Sequence, residues 1–259
     1  MIPWFLYEQI HLGPLTLQVW GLLVSLGFAL GGWIAIKEAK RKGVDPGMIF
    51  DLLVWILAGS VVGARLFYVI GHYRDYTANS WSVFQLYEGG MAFFGGFLGA
   101  AATALIFIHR KKLPLPKIAD IVAPALAAGY AVGRLGCVMI HDHLGRITTV
   151  PWGIQTPEGV VRHETSIYEM VFNGIILFPV LWFLRKRMKN NGTLAIVFLV
   201  WFLAVRFITD SFRATDVPVP DIRTFGLTGA QIIILGIFVV GLIHLLIYPN
   251  KHRKPISGA

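Results

Sequence analysis

Residues 17–42 read LQVWGLLVSLGFALGGWIAIKEAKRK, an apolar run closed by a burst of positive charge. No side chain between Leu17 and Ile36 ionises, and about twenty residues at the helical rise cross a hydrocarbon layer of about 30 Å. Lys37, Lys40, Arg41 and Lys42 follow at once, as on the cytoplasmic side of a membrane helix.

Outward from that stretch the pattern recurs. Windows of similar length place seven apolar helices at 17–36, 48–70, 91–108, 118–140, 166–184, 193–210 and 229–248. Alternate connections hold four Lys or Arg in 37–43, four in 109–117, four in 185–192 and three in 249–259, which is 15 of the 23 in the chain. The positive-inside rule makes that side cytoplasmic, with the N-terminus outside and the C-terminus inside. The expected architecture is all-α: one seven-helix membrane domain over 1–259, with an N-terminal interfacial arm carrying Trp4, Phe5 and Tyr7. Its outward connections are 71–90, 141–165 and 211–228. Residues 1–16 contain no Lys or Arg, so the first run is expected to remain as an anchor and not to be cleaved as a signal.

Composition bounds the function in the same direction. A chain that is 56% hydrophobic, 14% charged and of mean hydropathy +0.65 cannot cover a water-soluble surface. Its net charge of +9 does not point to nucleic acid, because the basic residues sit in the connections that set topology. A single cysteine, Cys137, excludes an intrachain disulfide framework and any four-cysteine metal site. Gly27/Gly31, Gly59/Gly63, Gly95/Gly99 and Gly129/Gly133 repeat the spacing that lets helix backbones approach closely in lipid. Gly89, Gly90, Gly95 and Gly96 are denser than packing requires, and paired glycines there can equally free backbone donors for an anion.

All ten lysines lie in the inward connections, whereas Arg65, Arg74, Arg134, Arg146, Arg162, Arg206, Arg213 and Arg223 lie within the spans or outward of them. An arginine at a helix centre costs roughly 2.5–3.5 kcal/mol on insertion scales, so it normally faces a polar cavity or an anion. Arg134, about 10 Å inside the end of the fourth span at helical rise, either snorkels along its own stem or meets such a partner. Arg206 recurs at similar depth and shares a helix face with Asp210 at i+4; that pair can simply neutralise itself. Arg213 then adds a charge that Asp210 cannot also cancel. With Arg65 on the second span, these planar forks suit bidentate recognition of a phosphate, and phospholipid is the phosphate always present.

His141-Asp142-His143 follows the fourth span. In an extended segment the two histidines project the same way, which suits a metal, with His163 the plausible outward partner, or a general base. The reading assigns no metal. Ser166 and Glu169 have the spacing of a capping box, and Tyr168 fits an aromatic belt. Cys137, in an apolar helix with only His141 near it as a base, reads as packing and not as a nucleophile.

Gly63-Ala64-Arg65-Leu66, Glu88 through Gly96, Asp120 through Pro124, Gly133-Arg134-Leu135-Gly136-Cys137, Arg162-His163 with Tyr168-Glu169, and Arg206 to Asp216 occur in an order that resembles the prolipoprotein diacylglyceryl transferases of bacterial membranes. The likeness covers nearly the whole chain. It implies a seven-span enzyme of the bacterial cytoplasmic (inner) membrane that needs no cofactor, its active site facing the extracytoplasmic side. Its partners would be phosphatidylglycerol, the bilayer, and a prolipoprotein signal peptide whose lipobox cysteine thiol receives the diacylglyceryl group as glycerol phosphate leaves. Arg134 and Arg206, with His141, Asp142 and His143, are the catalytic candidates. Arg65, Gly89, Gly90, Gly95, Gly96, Gly145, Tyr168, Glu169, Asp210 and Arg213 are the substrate-binding ones. Three positions depart from the family pattern: Trp20 replaces a tyrosine, Phe94 a histidine and Cys137 an asparagine. With the usual histidine absent, His141 or His143 is expected to supply the base. A phospholipid-binding or lipid-moving protein, and a metal-dependent hydrolase built on His141, His143 and His163, are the competing readings.

Overall fold

The structure is a computed structural model and describes residues 1–247 apart from 14, 78, 79, 86–88 and 218–220. Glu88 and the basic residues of 249–259 fall outside the described residues. Six helices are long and apolar enough to cross a membrane: α1 Val19–Arg41, α2 Pro46–Gly71, α3 Phe93–Arg110, α4 Leu115–Ile140, α5 Thr165–Leu184 and α6 Thr193–Asp210. The last predicted span corresponds to α7, Gly229–Ile247, apolar over Gly229–Val240. This is an all-α, multi-pass membrane protein, as expected where lipid leaves the backbone only its own partners. Large side chains such as Phe50, Trp55, Val62, Phe97 and Ile196 are exposed along these helices, where hydrocarbon and not water would meet them.

The connections hold short antiparallel pairs that hydropathy does not reveal. β1 (Gln9–Leu12) pairs with β2 (Leu15–Gln18). β3 (Leu144–Ile147) and β4 (Ile154–Gln155) flank β5 (Val161–Glu164), and β6 (Arg223–Thr224) pairs with β7 (Leu227–Thr228).

The chain divides into two compact units, Met1–Gly27 with Tyr130–Leu177 and Phe198–Ala259, and Phe28–Gly129 with Phe178–Val197. In the second, α2 and α3 pack through glycine. A Cβ on Gly63 would strike the Gly95 carbonyl, and one on Gly99 the Gly59 carbonyl, so nothing larger fits at this crossing. Gly95 also meets Phe67, and Gly96 lies 3.3 Å from Ser60 Oγ by the same construction. Both glycines therefore serve the packing of this crossing. Gly31 approaches the Ala125 carbonyl in the same way.

The apolar core of this unit gathers Ile34, Ile49, Leu52, Phe107, Ile118 and Ile121. Two buried carboxylates tie its polar end. Glu38 pairs with Arg41 and Arg185. Asp120 accepts from Lys42 Nζ at 2.7 Å and from the backbone N–H groups of Gly192 and Ala195, capping the start of α6.

In the first unit the N-terminal arm is bonded down: Ile2 exchanges hydrogen bonds with Gly153 and Gln155, and Tyr7 N donates to the Met139 carbonyl. Within α5, Met170–Ile176 forms a π-helical turn, and Gly174 there fits against Ala131 of α4.

Candidate functional site

Glu169 is 1% exposed, yet it is the most heavily bonded carboxylate of the first unit. It accepts from Arg134 Nη2 of α4 at 2.5 Å, from Arg206 Nη1 of α6, from Tyr130 Oη and, at 3.3 Å, from Thr209 Oγ1. The two deep arginines thus converge on one acid from separate helices. This corrects the capping box. Ser166 N bonds instead to Glu164, at 3.3 Å, because two guanidiniums hold Glu169 inside the helix cluster.

Arg134 lies above Tyr130, one turn earlier, and its Nε donates to that hydroxyl at 2.9 Å. Its Nη1 reaches Cys137 Sγ at 3.7 Å. Arg206 Nη2 is 3.1 Å from Asp210 Oδ1, the i+4 pair the sequence predicts. Asp210 is in turn fixed by Thr228 Oγ1 at 2.7 Å. Arg134 Nη1 and Nη2 and Arg206 Nε still carry N–H groups without a hydrogen-bond partner among the described residues, and both side chains keep some exposure, 15% and 21%. Charged donors half-sheltered from water, with capacity left over, suit an incoming anion.

Other predicted residues are placed elsewhere. Arg65 belongs to the second unit and donates all five of its N–H groups to carbonyls: Val83, Gly89, Gly90, Ser82 and Gln85. A guanidinium has five donors, so none remains for a phosphate, and the substrate role expected of Arg65 is not supported. Its work is to hold the turn in which Gly89 and Gly90 adopt φ of +84° and +75°. Those glycines offer their carbonyls inward to Arg65. Phe94, in the same unit, is 61% exposed and packs edge-on to Phe67.

Arg213 pairs with Asp221, so the surplus charge inferred for it is cancelled from a connection that spacing cannot reveal. Gly145 lies where a Cβ would meet the Phe212 carbonyl at 2.6 Å and His163 Cβ at 2.7 Å. Its bareness lets β3 pair with the segment after α6, a positioning role. Arg162 grips Asp216 with two bonds of 2.9 and 2.6 Å, and these hold the Asp216 carboxyl below the usual carboxylate range. Tyr168 Oη accepts from Trp152 Nε1 at 3.0 Å and shares a 2.6 Å hydrogen bond with His163 Nδ1. Burial pushes the His163 ring down from its ordinary pKa.

The three histidines do not meet as a metal triad would require. His163 turns to Tyr168. His141, in a left-handed conformation at φ +49°, donates to Glu164 at 2.9 Å, its ring stacked on Trp4 at 4.2 Å and tilted against Phe5 at 4.6 Å. That clamp docks the N-terminal arm, and the buried Nε2 of His141 has no hydrogen-bond partner among the described residues. His143 bonds to Asp142, and these two with Cys137 bring their donor atoms within 4.8 Å of one another. His141, Asp142 and His143 line a cavity of about 230 Å³ together with Arg213 and Asp221. Tyr130, Thr209, Thr228 and Glu164 were not singled out in the sequence. The i−4 spacing of Tyr130 from Arg134 was the one available signal.

Residues 8–247 match the family model for prolipoprotein diacylglyceryl transferase. A phosphatidylglycerol–prolipoprotein diacylglyceryl transferase of Chromohalobacter salexigens is 32% identical over 255 residues, covering 96% of this chain and 94% of the relative. Relatives carrying the same description from Bordetella bronchiseptica and Mannheimia succiniciproducens are 34% and 36% identical, over 80% and 79% of this chain and 82% and 78% of their own lengths.

Proposed function

Because the chain belongs to the prolipoprotein diacylglyceryl transferase family, we propose that it moves the diacylglyceryl group of phosphatidylglycerol onto the lipobox cysteine thiol of a prolipoprotein, releasing glycerol phosphate. The observation that carries the reading is the convergence of Arg134 and Arg206 on Glu169. In the resting site Glu169 holds both forks in place. An arriving phosphodiester takes the donors that remain, and the guanidiniums stabilise the charge that grows on the phosphate as its ester oxygen departs. Preorganisation by Tyr130, Asp210 and Thr228 means that little rearrangement is needed at that moment. The acceptor thiol is taken up at the turn bearing Asp142 and His143, and His141 serves that turn as its anchor.

The same reading places seven spans in the bacterial inner membrane with the N-terminus outside, the C-terminus in the cytoplasm and the site on the extracytoplasmic side. The distribution of 15 of 23 basic residues supports it.

The test is transfer of radiolabelled diacylglyceryl from phosphatidylglycerol vesicles to a lipobox peptide by the purified chain. Removing one preorganised donor to developing charge lowers turnover by about 10²–10³ in other enzymes, and Arg134→Lys or Arg206→Lys is expected to do the same. Lipid bound without transfer by the wild type would replace this reading with that of a lipid-binding protein.

A further inference from the structure

Asn173 is wholly buried, at 0% exposure, and neither its Nδ2 nor its Oδ1 has a hydrogen-bond partner among the described residues. An amide shut away from water without partners is costly, and lipid offers nothing in place of the missing bonds. We propose that Asn173 sets specificity in the transfer site: its amide N–H donates to an ester carbonyl of the diacylglyceryl group, so that ester-linked lipid is taken in preference to ether-linked lipid. The proposal rests on the transferase reading and adds the part of the lipid that lies beneath the phosphate.

Position along α5 supports it. Ser166, Glu169, Asn173 and Leu177 follow one another at intervals of three and four and are all at most 1% exposed, which makes them the inward stripe of the helix. Their chemistry changes with depth. Glu169 holds Arg134 and Arg206, the donors offered to phosphate, Asn173 comes one turn later, and Leu177 opens the apolar stretch Leu177–Leu184. A turn advances about 5 Å, and the layer between phosphates and hydrocarbon is about 5–8 Å deep on each side of a bilayer. The ester carbonyls of a phospholipid mark the inner edge of that layer. With the phosphate against Arg134 and Arg206, they reach the level of Asn173. The turn that bears Asn173 also packs on the same stretch of α4 as the arginine site, since a Cβ on Gly174 would lie 2.5 Å from that of Ala131, the neighbour of Tyr130.

The chemistry of the group fits the acceptor. An ester carbonyl is neutral and accepts without donating, so it asks for a dipolar N–H and not for a charge; a cation at this depth would cost more and would compete for the phosphate. Turning the amide over exchanges two ends that are equally without partners. A buried amide that serves the fold is tied to it: Gln231, 1% exposed, donates from Nε2 to the Phe207 carbonyl at 2.9 Å and to Ser211 Oγ at 3.0 Å, and its Oε1 accepts from Thr228 N at 3.0 Å. Asn173 has no such ties, and it stands at the middle of the π-helical turn Met170–Ile176, a type of turn that recurs at functional sites.

The full chain in mixed micelles is given phosphatidylglycerol with ester-linked chains, or the same lipid with ether-linked chains, and a lipobox peptide as acceptor. A hydrogen bond of this kind corresponds to about tenfold, so wild type should use the ether lipid with about tenfold lower kcat/KM. Asn173→Leu keeps the branched shape and removes the amide; it should lose about tenfold on the ester lipid and nothing on the ether lipid, and so cease to tell them apart. Its Tm should not fall, because an unpaired amide replaced by an apolar group of the same shape leaves the fold no weaker. Ile175→Ala, at a side chain 56% exposed, should discriminate as wild type does. Wild type that uses the two lipids equally overturns the proposal, and this comparison stands even where a variant does not fold. Asn173→Leu that is less stable and still prefers the ester lipid marks the amide as part of the fold and overturns it too. If wild type transfers neither lipid, the transferase reading fails, and displacement of a fluorescent phosphatidylglycerol from the chain decides alone. Displacement about tenfold weaker by the ether lipid then supports the contact to Asn173, and equal displacement overturns it.

Discussion

Replacing Glu169 by Gln removes one negative charge from between two arginines and leaves the shape of the site nearly unchanged. At 2.5 Å, the Arg134–Glu169 contact corresponds to a gross attraction of about 7 kcal/mol at an effective dielectric of about 20. In the wild type, desolvation of several kcal/mol per ion offsets much of it. In the variant the arginines stay sheltered, at 15% and 21% exposure, so the desolvation remains while the attraction is gone. Removing one partner of a buried pair costs about 3–5 kcal/mol. Asp210 still neutralises Arg206, which argues for the lower end, a shift of about a hundredfold in the unfolding equilibrium. Asp221→Asn is the comparison: it breaks the Arg213 pair at a carboxylate that is 39% exposed, where less than about 1 kcal/mol is expected. Equilibrium unfolding of both variants in mixed micelles, followed by tryptophan fluorescence, measures the difference. A Glu169→Gln chain within about 1 kcal/mol of wild type, or one no weaker than Asp221→Asn, would show that Glu169 does not hold the arginines together.

Gly99→Ala should lose roughly 1–3 kcal/mol in the same assay, because its methyl would strike the Gly59 carbonyl, while Gly236→Ala, with open space around it, should gain roughly 0.5–1 kcal/mol from helix propensity. Asp216 tests the sign of a pH effect. Its lowered folded-state pKa means the Arg162 tether contributes fully above the unfolded value of about 3.9 and is lost as pH falls through the folded value. Amide protection over 144–147 and 211–217 should therefore hold down to about pH 4 and fall below it once intrinsic rates are corrected, and Asp216→Asn should show the reduced protection already at pH 6.

The spans were legible because lipid imposes one requirement along the whole of each: a long apolar run that satisfies its own backbone. Arg134 and Arg206 were legible for the converse reason, being expensive where they stand. Arg65 looked equivalent in sequence. What distinguishes it is a set of backbone carbonyls at 82–90, and carbonyls have no letter in the sequence. The Arg213–Asp221 pair was not legible because Asp221 comes from a connection whose path spacing does not define, whereas Asp210 sits at a helical interval from Arg206. The strands went unseen because pieces of two to four residues carry no periodicity. The nearness of Asp142 and His143 to Cys137 was not legible along α4, because both come from beyond the helix end, brought back by a single left-handed residue, His141.

The π-helical turn Met170–Ile176 has a consequence for how α5 tolerates editing. Each residue added to or taken from an α-helix turns one end relative to the other by about 100°. A wide turn absorbs such an extra residue, acting as a shim between Glu169 above it and Leu177–Leu184 below. Removing one residue from Met170–Ile176 and rewinding it as α-helix would therefore keep Glu169 facing the arginines, whereas removing one from a regular α turn would swing it by about 100° around the axis. The wide turn is thus the one place described in α5 where a residue can be lost without turning the acid away.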